Sequence, residues 1–119
     1  MRVLVVEDEP VLAMSLQQLV ESLGHQVCQV VNTAEEATFA AAIHRPDIVF
    51  MDYQLSGART GVDAAREIAV GQRSSIVFCT AQSDPVLLAD IAAFGPAATI
   101  SKPYTDLDIR TALARFGAS

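Results

Sequence analysis

Positively charged side chains are scarce in this chain. Lys and Arg together number 8, against 14 Asp and Glu, and the formal net charge is −6. Proteins that bind DNA or RNA carry a basic patch or stripe that pairs with phosphates. The acidic balance therefore argues against nucleic acid as a partner.

Long apolar runs are absent as well. No apolar stretch reaches the roughly 18 residues that indicate a transmembrane helix, although 51% of the residues are hydrophobic. The first residues run directly into a strand pattern, which leaves no room for a signal peptide. We expect a cytoplasmic protein that does not associate with membranes.

Cysteine is rare, and the motifs of several cofactor sites are missing. The two cysteines, Cys28 and Cys79, lie inside apolar strand patterns and are predicted to be reduced core residues. There is no Cys/His cluster of the kind that zinc needs. Neither G-x-G-x-x-G nor G-K-[ST] occurs, which argues against a nucleotide site.

Short apolar runs alternate along the chain with amphipathic stretches. Near-continuous apolar strands, each followed by a helix, indicate a parallel sheet that is covered on both faces. We predict strands near residues 2–7, 26–31, 47–52, 75–80 and 97–101, and helices near 9–23, 34–44, 61–70, 84–94 and 105–116. The prediction is one α/β domain over residues 1–119, a flavodoxin-like (βα)5 three-layer sandwich with strand order 2-1-3-4-5.

Chemically reactive side chains stand where these strands end. Glu7 and Asp8 follow strand 1, and Asp52 ends strand 3. Thr80 ends strand 4, and Lys102 follows strand 5. Because the carboxyl ends of parallel strands meet at one edge of a sheet, we predict that these five side chains converge.

Three carboxylates that share a crevice repel one another, and a divalent cation relieves the repulsion. Oxygen ligands with room for water suit Mg²⁺ better than a softer metal. A carboxylate beside Mg²⁺ can attack a phosphoryl group to form an aspartyl phosphate. Asp52 is the expected nucleophile, with Lys102 as a second positive charge and Thr80 as a hydroxyl donor to the phosphoryl oxygens.

The ordered set of these residues resembles the receiver domain of two-component response regulators over the full chain. Taken singly, each acid could be an ordinary helix cap. The resemblance rests on Glu7-Asp8, Asp52, Thr80-Ala81 and Lys102-Pro103. It implies a cis peptide bond between Lys102 and Pro103.

The same resemblance implies a set of Mg²⁺ ligands. Asp8 and Asp52 would bind the metal directly, together with the backbone carbonyl of Gln54. Glu7 would act through a metal-bound water. Lys102 would bridge to the phosphoryl group.

Several positions depart from the common receiver pattern. Ser56 replaces a proline in the loop after the acceptor, and Gly61 follows Asp52 by nine residues rather than eight. Thr99 stands where many receivers carry a switching Tyr or Phe, which predicts a switch without a rotating aromatic ring. Tyr104, directly after the Lys-Pro pair, is similar to an alphaproteobacterial subclass found in general-stress regulators and stand-alone receivers.

The leading interpretation is a stand-alone receiver, which signals by binding proteins and is not an enzyme beyond its own phosphorylation and autodephosphorylation. We expect a histidine kinase or histidine phosphotransfer protein as donor and a downstream protein as target. The expected output surface is helix 4, strand 5 and helix 5. Leu87, Ile91 and Phe94 are candidates for partial exposure there, although most apolar residues of a helix are core. The same surface could pair two copies of the chain.

Other functions remain open at this point. The receiver could be a phosphate sink or phosphorelay shuttle, or a fragment of a larger regulator or hybrid kinase. A phosphorylation-independent adaptor would use the same fold. A phosphatase of the haloacid-dehalogenase kind fits poorly, because that family needs an acid two residues after the nucleophile and this chain has Gln54.

Overall fold

The protein was analysed as a computed structural model, which describes residues 1–81 and 84–116. In that part of the chain five strands alternate with five helices, and each bound lies within one residue of its prediction. The elements are β1 (Arg2–Val6), α1 (Pro10–Ser22), β2 (Gln26–Val31), α2 (Ala34–His44), β3 (Ile48–Met51), α3 (Gly61–Gly71), β4 (Ser75–Thr80), α4 (Pro85–Phe94), β5 (Ala98–Ser101) and α5 (Asp106–Phe116).

All strand pairs are parallel, and the order is β2-β1-β3-β4-β5. The predicted fold class is therefore confirmed. Val6 lies opposite Met51 in the neighbouring strand, so the residues that follow β1 and β3 leave the sheet side by side. On the other side, Thr80 lies opposite Ser101, which brings the end of β4 level with the end of β5.

The helices cover both faces of the sheet and form two apolar cores. One core lies under α2, α3 and α4, and alanines make up much of its helical side. The other lies under α1 and α5. Phe50 and Phe78 are among the largest fully buried side chains, and they lie in different cores. Both faces of β3 are therefore buried, as its continuous apolar run predicted.

Local signals at the helix ends set the loops near the carboxyl edge of the sheet. Pro10 stands in the first turn of α1, where its missing N–H costs nothing. The Asp84 side chain accepts a hydrogen bond from the N–H of Val86 and caps α4. At the opposite, amino edge of the sheet, Gly95, at φ 75°, ends α4 in the left-handed conformation.

Two of the exclusions can be compared with the structure. Cys79 is buried in β4 and Cys28 is half-buried in β2, and both are free thiols, as predicted. Across residues 1–81 and 84–116, no helix is both long and apolar enough to cross a lipid bilayer.

Candidate functional site

Two carboxylates lie close together where the neighbouring strands β1 and β3 end. The N–H of Glu7 donates to the Val31 carbonyl at 3.0 Å, and the N–H of Asp52 donates to the Val6 carbonyl at 3.0 Å. The sheet hydrogen bonds thus continue one residue beyond β1 and β3, which places both residues level at the edge. Glu7 is 6% exposed and Asp52 is 8% exposed. Two acids are therefore buried together.

Asp8 completes an acidic cluster with these two residues. One carboxylate oxygen from each of Glu7, Asp8 and Asp52 can be chosen so that all three lie within 4.8 Å of one another. Asp8 is the most exposed of the three, at the solvent side. Closely spaced, hard oxygen donors with one open side fit a small divalent cation such as Mg²⁺. The donor set therefore suits the metal that the sequence predicted.

Lys102, which is the only lysine in the chain, faces this cluster. Its backbone N–H donates to the Thr80 carbonyl at 2.9 Å, so the pairing of β4 with β5 continues to this residue. Its ammonium donates to Glu7 Oε1 at 2.5 Å and to Asp52 Oδ2 at 3.0 Å. The Lys102–Pro103 peptide bond is cis, as the family resemblance implied. When all four groups are ionised, the Lys102 ammonium and the three carboxylates have a net charge of −2. A divalent cation would balance that charge.

Burial and charge together change how these groups titrate. Burial, together with the hydrogen bond and charge of Glu7, raises the pKa of Asp52 to about 7, even though Lys102 acts in the opposite direction. Burial lowers the pKa of Lys102, but its hydrogen bonds to Glu7 and Asp52 outweigh that effect, and the pKa is raised. Asp52 therefore changes charge near neutral pH, where an ionised carboxylate can act as a nucleophile.

A cavity of about 430 Å³ opens over Asp52. The described residues that line it are Asp8, Glu9, Leu12, Asp52, Gln54, Thr80, Ala81, Lys102, Pro103 and Tyr104. Eight of these ten were singled out from the sequence. Glu9 and Leu12 were not predicted. They follow the acidic pair closely, at the N-cap and in the first turn of α1, and that position could have identified them. The cavity is thus lined by charged side chains, such as those of Asp52 and Lys102, and by apolar ones, such as that of Leu12.

Two of the predicted residues stand apart from this cavity lining. Glu7 is buried and bonded to Lys102 rather than exposed to the cavity. Thr99 lies in β5 opposite Phe78 and is exposed. Tyr104 does border the cavity, and burial raises its pKa to about 12, so it stays neutral.

Gly61 lies in close contact with the backbone of the acceptor loop, whereas the sequence showed only its unusual distance from Asp52. Its N–H donates to the Tyr53 carbonyl at 2.7 Å. A Cβ added at Gly61 would lie 2.0 Å from the Asp52 carbonyl oxygen, well inside contact distance. Glycine is required there because the N-terminus of α3 touches the backbone of Asp52.

Tyr53, the residue after Asp52, was not predicted to have a role. Its hydroxyl donates to Asp90 Oδ2 of α4 at 3.1 Å. Asp90 also pairs with Arg66 of α3 at 3.5 Å. No sequence pattern links positions 53 and 90, since the contact depends on how α4 packs.

Comparison with known proteins agrees with the geometry. The profile of the response regulator receiver domain matches residues 3–114. The chain is 32% identical over 114 residues to the phyllosphere-induced regulator PhyR of Methylorubrum extorquens, covering 95% of this chain and 42% of PhyR. It is 34% identical over 119 residues to the transcriptional regulatory protein PdtaR of Mycobacterium tuberculosis, covering 97% of this chain and 58% of PdtaR. The chain thus spans about half the length of these relatives.

Solved receiver domains superpose closely. The solution structure of the Erythrobacter litoralis PhyR receiver domain is 32% identical, with a TM-score of 0.83, covering 99% of this chain and 93% of that one. The receiver domain of the sensor histidine kinase PA1611 from Pseudomonas aeruginosa is 28% identical, with a TM-score of 0.88, covering 99% and 98%. That structure has a magnesium ion coordinated in its active-site cleft. Sequence, fold and acidic cleft agree: the chain belongs to the response regulator receiver family of two-component signalling.

Proposed function

We propose that Asp52 accepts a phosphoryl group from a histidine kinase or a histidine phosphotransfer protein, in a reaction that requires Mg²⁺. One observation carries the proposal. The Asp52 carboxylate lies 3.0 Å from the Lys102 ammonium, in a cleft that also holds the carboxylates of Glu7 and Asp8. An ionised oxygen, a fixed cation and a metal-binding acidic cluster are the groups that phosphoryl transfer needs.

The acidic cluster would hold the metal. Asp8 and Asp52 would bind Mg²⁺ directly with the backbone carbonyl of Gln54, and Glu7 would bind through a water. When bound, Mg²⁺ neutralises negative charge on the carboxylates and on the phosphoryl oxygens. The structural support is the spacing of the three carboxylate oxygens, all within 4.8 Å of one another.

The chain's own residues supply the remaining chemistry. An ionised Asp52 oxygen attacks phosphorus, and an O–P bond forms as the P–N bond to the donor imidazole breaks, leaving its electron pair on the donor nitrogen. Lys102 exchanges one of its carboxylate bonds for a phosphoryl oxygen. Thr80, which is 3% exposed at the end of β4, donates its hydroxyl to another. The cavity over Asp52 admits the donor side chain.

The proposed output surface is the face formed by α4, β5 and α5, and the proposed target is a protein. β5 is an edge strand, so its outer side is open to a partner. Of the apolar candidates, Leu87 and Ile91 are 6% and 2% exposed and belong to the core, because they anchor α4 to the sheet. The exposed large apolar side chains on this face are Val86 and Leu88 on α4 and Leu107 on α5. The alternative partner at this face is a second copy of the chain.

A second candidate is a receiver that works inside a longer protein, and the lengths of PhyR and PdtaR favour it. The proposal for this chain is one receiver domain over residues 1–119, in the cytoplasm. A phosphate sink or relay shuttle would use the same chemistry without a dedicated target. Phosphotransfer profiling against the histidine kinases of the source organism would distinguish a dedicated pair from a shared acceptor.

The chemistry is tested with acetyl phosphate and Mg²⁺ on the purified chain. We expect a mass gain of one phosphoryl group that hydroxylamine removes. Asp52→Asn should not be labelled, whereas Asp47→Asn, at the other end of β3, should be labelled normally. Asp8→Ala and excess chelator should each stop the labelling. Equal labelling of Asp52→Asn and the wild type would refute the assignment.

Signal transmission has a separate test at the residues proposed to sense the phosphoryl group. Thr80→Ala should still be labelled but should lose the phosphorylation-dependent partner response, because a hydrogen bond made only in the modified state is gone. An aromatic residue in place of Thr99 should disturb the response without blocking labelling. A full response from labelled Thr80→Ala would contradict this route.

A further inference from the structure

A hydrogen bond joins the loop that carries the acceptor to helix α4. Tyr53 follows Asp52 directly, and its hydroxyl donates to Asp90 Oδ2 at 3.1 Å across 37 positions of sequence. The other oxygen of Asp90, Oδ1, pairs with Arg66 at 3.5 Å. Asp90 therefore ties α4 both to the acceptor loop and to α3.

Contacts at both the backbone and the ring hold Tyr53 in place beside Asp52. Its carbonyl accepts the 2.7 Å hydrogen bond from Gly61 at the start of α3. The Tyr53 ring packs against the apolar core that lies under α2, α3 and α4. The backbone and the hydroxyl of Tyr53 are both hydrogen-bonded, and its ring is packed against the core. The side chain is therefore a rigid link between residue 52 and α4.

Within the part of the chain that the structure describes, few other contacts join α4 to the site. Its buried side chains, Leu87 and Ile91, are apolar and hold it without directional bonds. Phe94 contacts Phe78 edge-on, with ring centroids 6.1 Å apart. On β5, the exposed Thr99 has no ring that could lie between α4 and the site. The bond from Tyr53 to Asp90 is the directional contact best placed to report on Asp52.

We propose that Tyr53 couples the phosphoryl state of Asp52 to the position of α4 through its hydrogen bond to Asp90. This inference rests on the proposed phosphorylation of Asp52. The bond stabilises the arrangement of α4 in the unmodified protein. In the phosphorylated protein, Thr80 and Lys102 bond to the phosphoryl group, Tyr53 moves with Asp52, and its bond to Asp90 breaks. The bond thus exists in one state only, which is what a two-state switch requires.

Hydrogen exchange of the α4 amides, residues 86–94, tests the coupling. In the wild type, acetyl phosphate with Mg²⁺ should speed the exchange of these amides. In Tyr53→Phe, which removes one oxygen atom, labelling should be normal, but α4 should already exchange about fivefold faster before modification, the size expected for one hydrogen bond. Phosphorylation should then add little. The variant would resemble the phosphorylated wild type.

Two further variants separate coupling from general loosening. Asp90→Ala should reproduce the effect, and combining it with Tyr53→Phe should add nothing, since both remove the same bond. Arg66→Gln keeps the tyrosine bond and should retain the wild-type response of α4. Asp90→Ala also replaces Tyr53→Phe as the test if the latter folds poorly.

The outcomes distinguish this inference from the function on which it rests. A wild type that cannot be labelled would refute the phosphorylation of Asp52. A labelled wild type and a labelled Tyr53→Phe with identical α4 exchange, before and after modification, would refute the coupling alone. Loss of labelling in Tyr53→Phe would also overturn it, because the residue would then act in the chemistry rather than in transmission.

Discussion

Asp47 and Asp52 flank the same four-residue strand, β3, yet their surroundings have little in common. Asp47 is exposed, and its Oδ2 accepts a hydrogen bond from the backbone N–H of Arg2 at 2.8 Å. Asp52 is 8% exposed and shares the Lys102 ammonium with Glu7. One carboxylate joins two strands at the amino edge of the sheet. The other lies in a charged cleft at the carboxyl edge.

The difference shows that burial and neighbours, rather than residue type or distance from a strand, make a reactive carboxylate. A solvated acid interacts with water whatever its charge state. A buried acid must be matched by a nearby cation or by a proton, and either requirement makes it respond to chemistry at the site. The following predictions test this comparison.

The largest effect on stability is expected from removing the cation. Lys102→Met should lower the free energy of unfolding by about 3–5 kcal/mol at pH 8, because Glu7 and Asp52 would be buried without their partner. Arg59→Gln is the matched control, since it breaks the Arg59–Glu67 pair at the surface and should cost far less, because solvent screens that pair. Urea unfolding measures both. Equal losses would show that the buried ion pair has no special weight.

A pH-dependent loss of stability is expected from Asp52 itself. Its pKa is raised from 3.8 to about 7, chiefly by burial, so between these values the folded state holds a proton that the unfolded state has released. Stability therefore falls as pH rises through this window, by up to about 4 kcal/mol, and levels off above it.

Asp52→Asn removes this titration. Its stability relative to the wild type should increase from pH 4 to pH 7, whereas Asp47→Asn should follow the wild-type profile. Thermal unfolding across this pH range, without added Mg²⁺, gives the comparison. A wild-type profile for Asp52→Asn would mean that Asp52 is ionised in the folded protein throughout.

The two glycines of α3 extend the comparison to the backbone. Gly61→Ala should destabilise the fold by about 1–3 kcal/mol, because its Cβ would overlap the Asp52 carbonyl oxygen and push α3 away. Gly71→Ala, at the opposite end of α3, meets no atom within 4 Å and should be neutral or stabilising by up to about 1 kcal/mol. Urea unfolding distinguishes them, and tolerance of alanine at 61 would show that the loop yields.

The smallest effect is expected at the amino edge. Asp47→Ala removes one hydrogen bond to the Arg2 N–H and should cost about 0.5–1.5 kcal/mol. Labelling with acetyl phosphate should be unchanged, because no proposed site residue contacts it. A marked loss of labelling in this variant would mean that the two edges of the sheet are coupled.

Much of the fold and the location of the site were predictable from the sequence, because the signals are local. Alternating apolar and amphipathic stretches placed all ten elements. Parallel strands put their carboxyl ends at one edge, so the acids after β1 and β3 and the lysine after β5 had to lie near one another. These inferences need only the period of a pattern and the direction of a strand.

Tertiary packing decided the rest, because the contacts join residues far apart in sequence. Lys102 donates to Glu7 across 95 positions and to Asp52 across 50, and only the folded sheet fixes those distances. The burial that raises the pKa of Asp52 comes from several elements at once. The sequence left open whether Leu87 and Ile91 are exposed on α4, and the structure places both in the core, because the side of this helix that faces the sheet depends on how it docks. The hydrogen bond between Tyr53 and Asp90 likewise exists only because that docking brings α4 within reach of the ring.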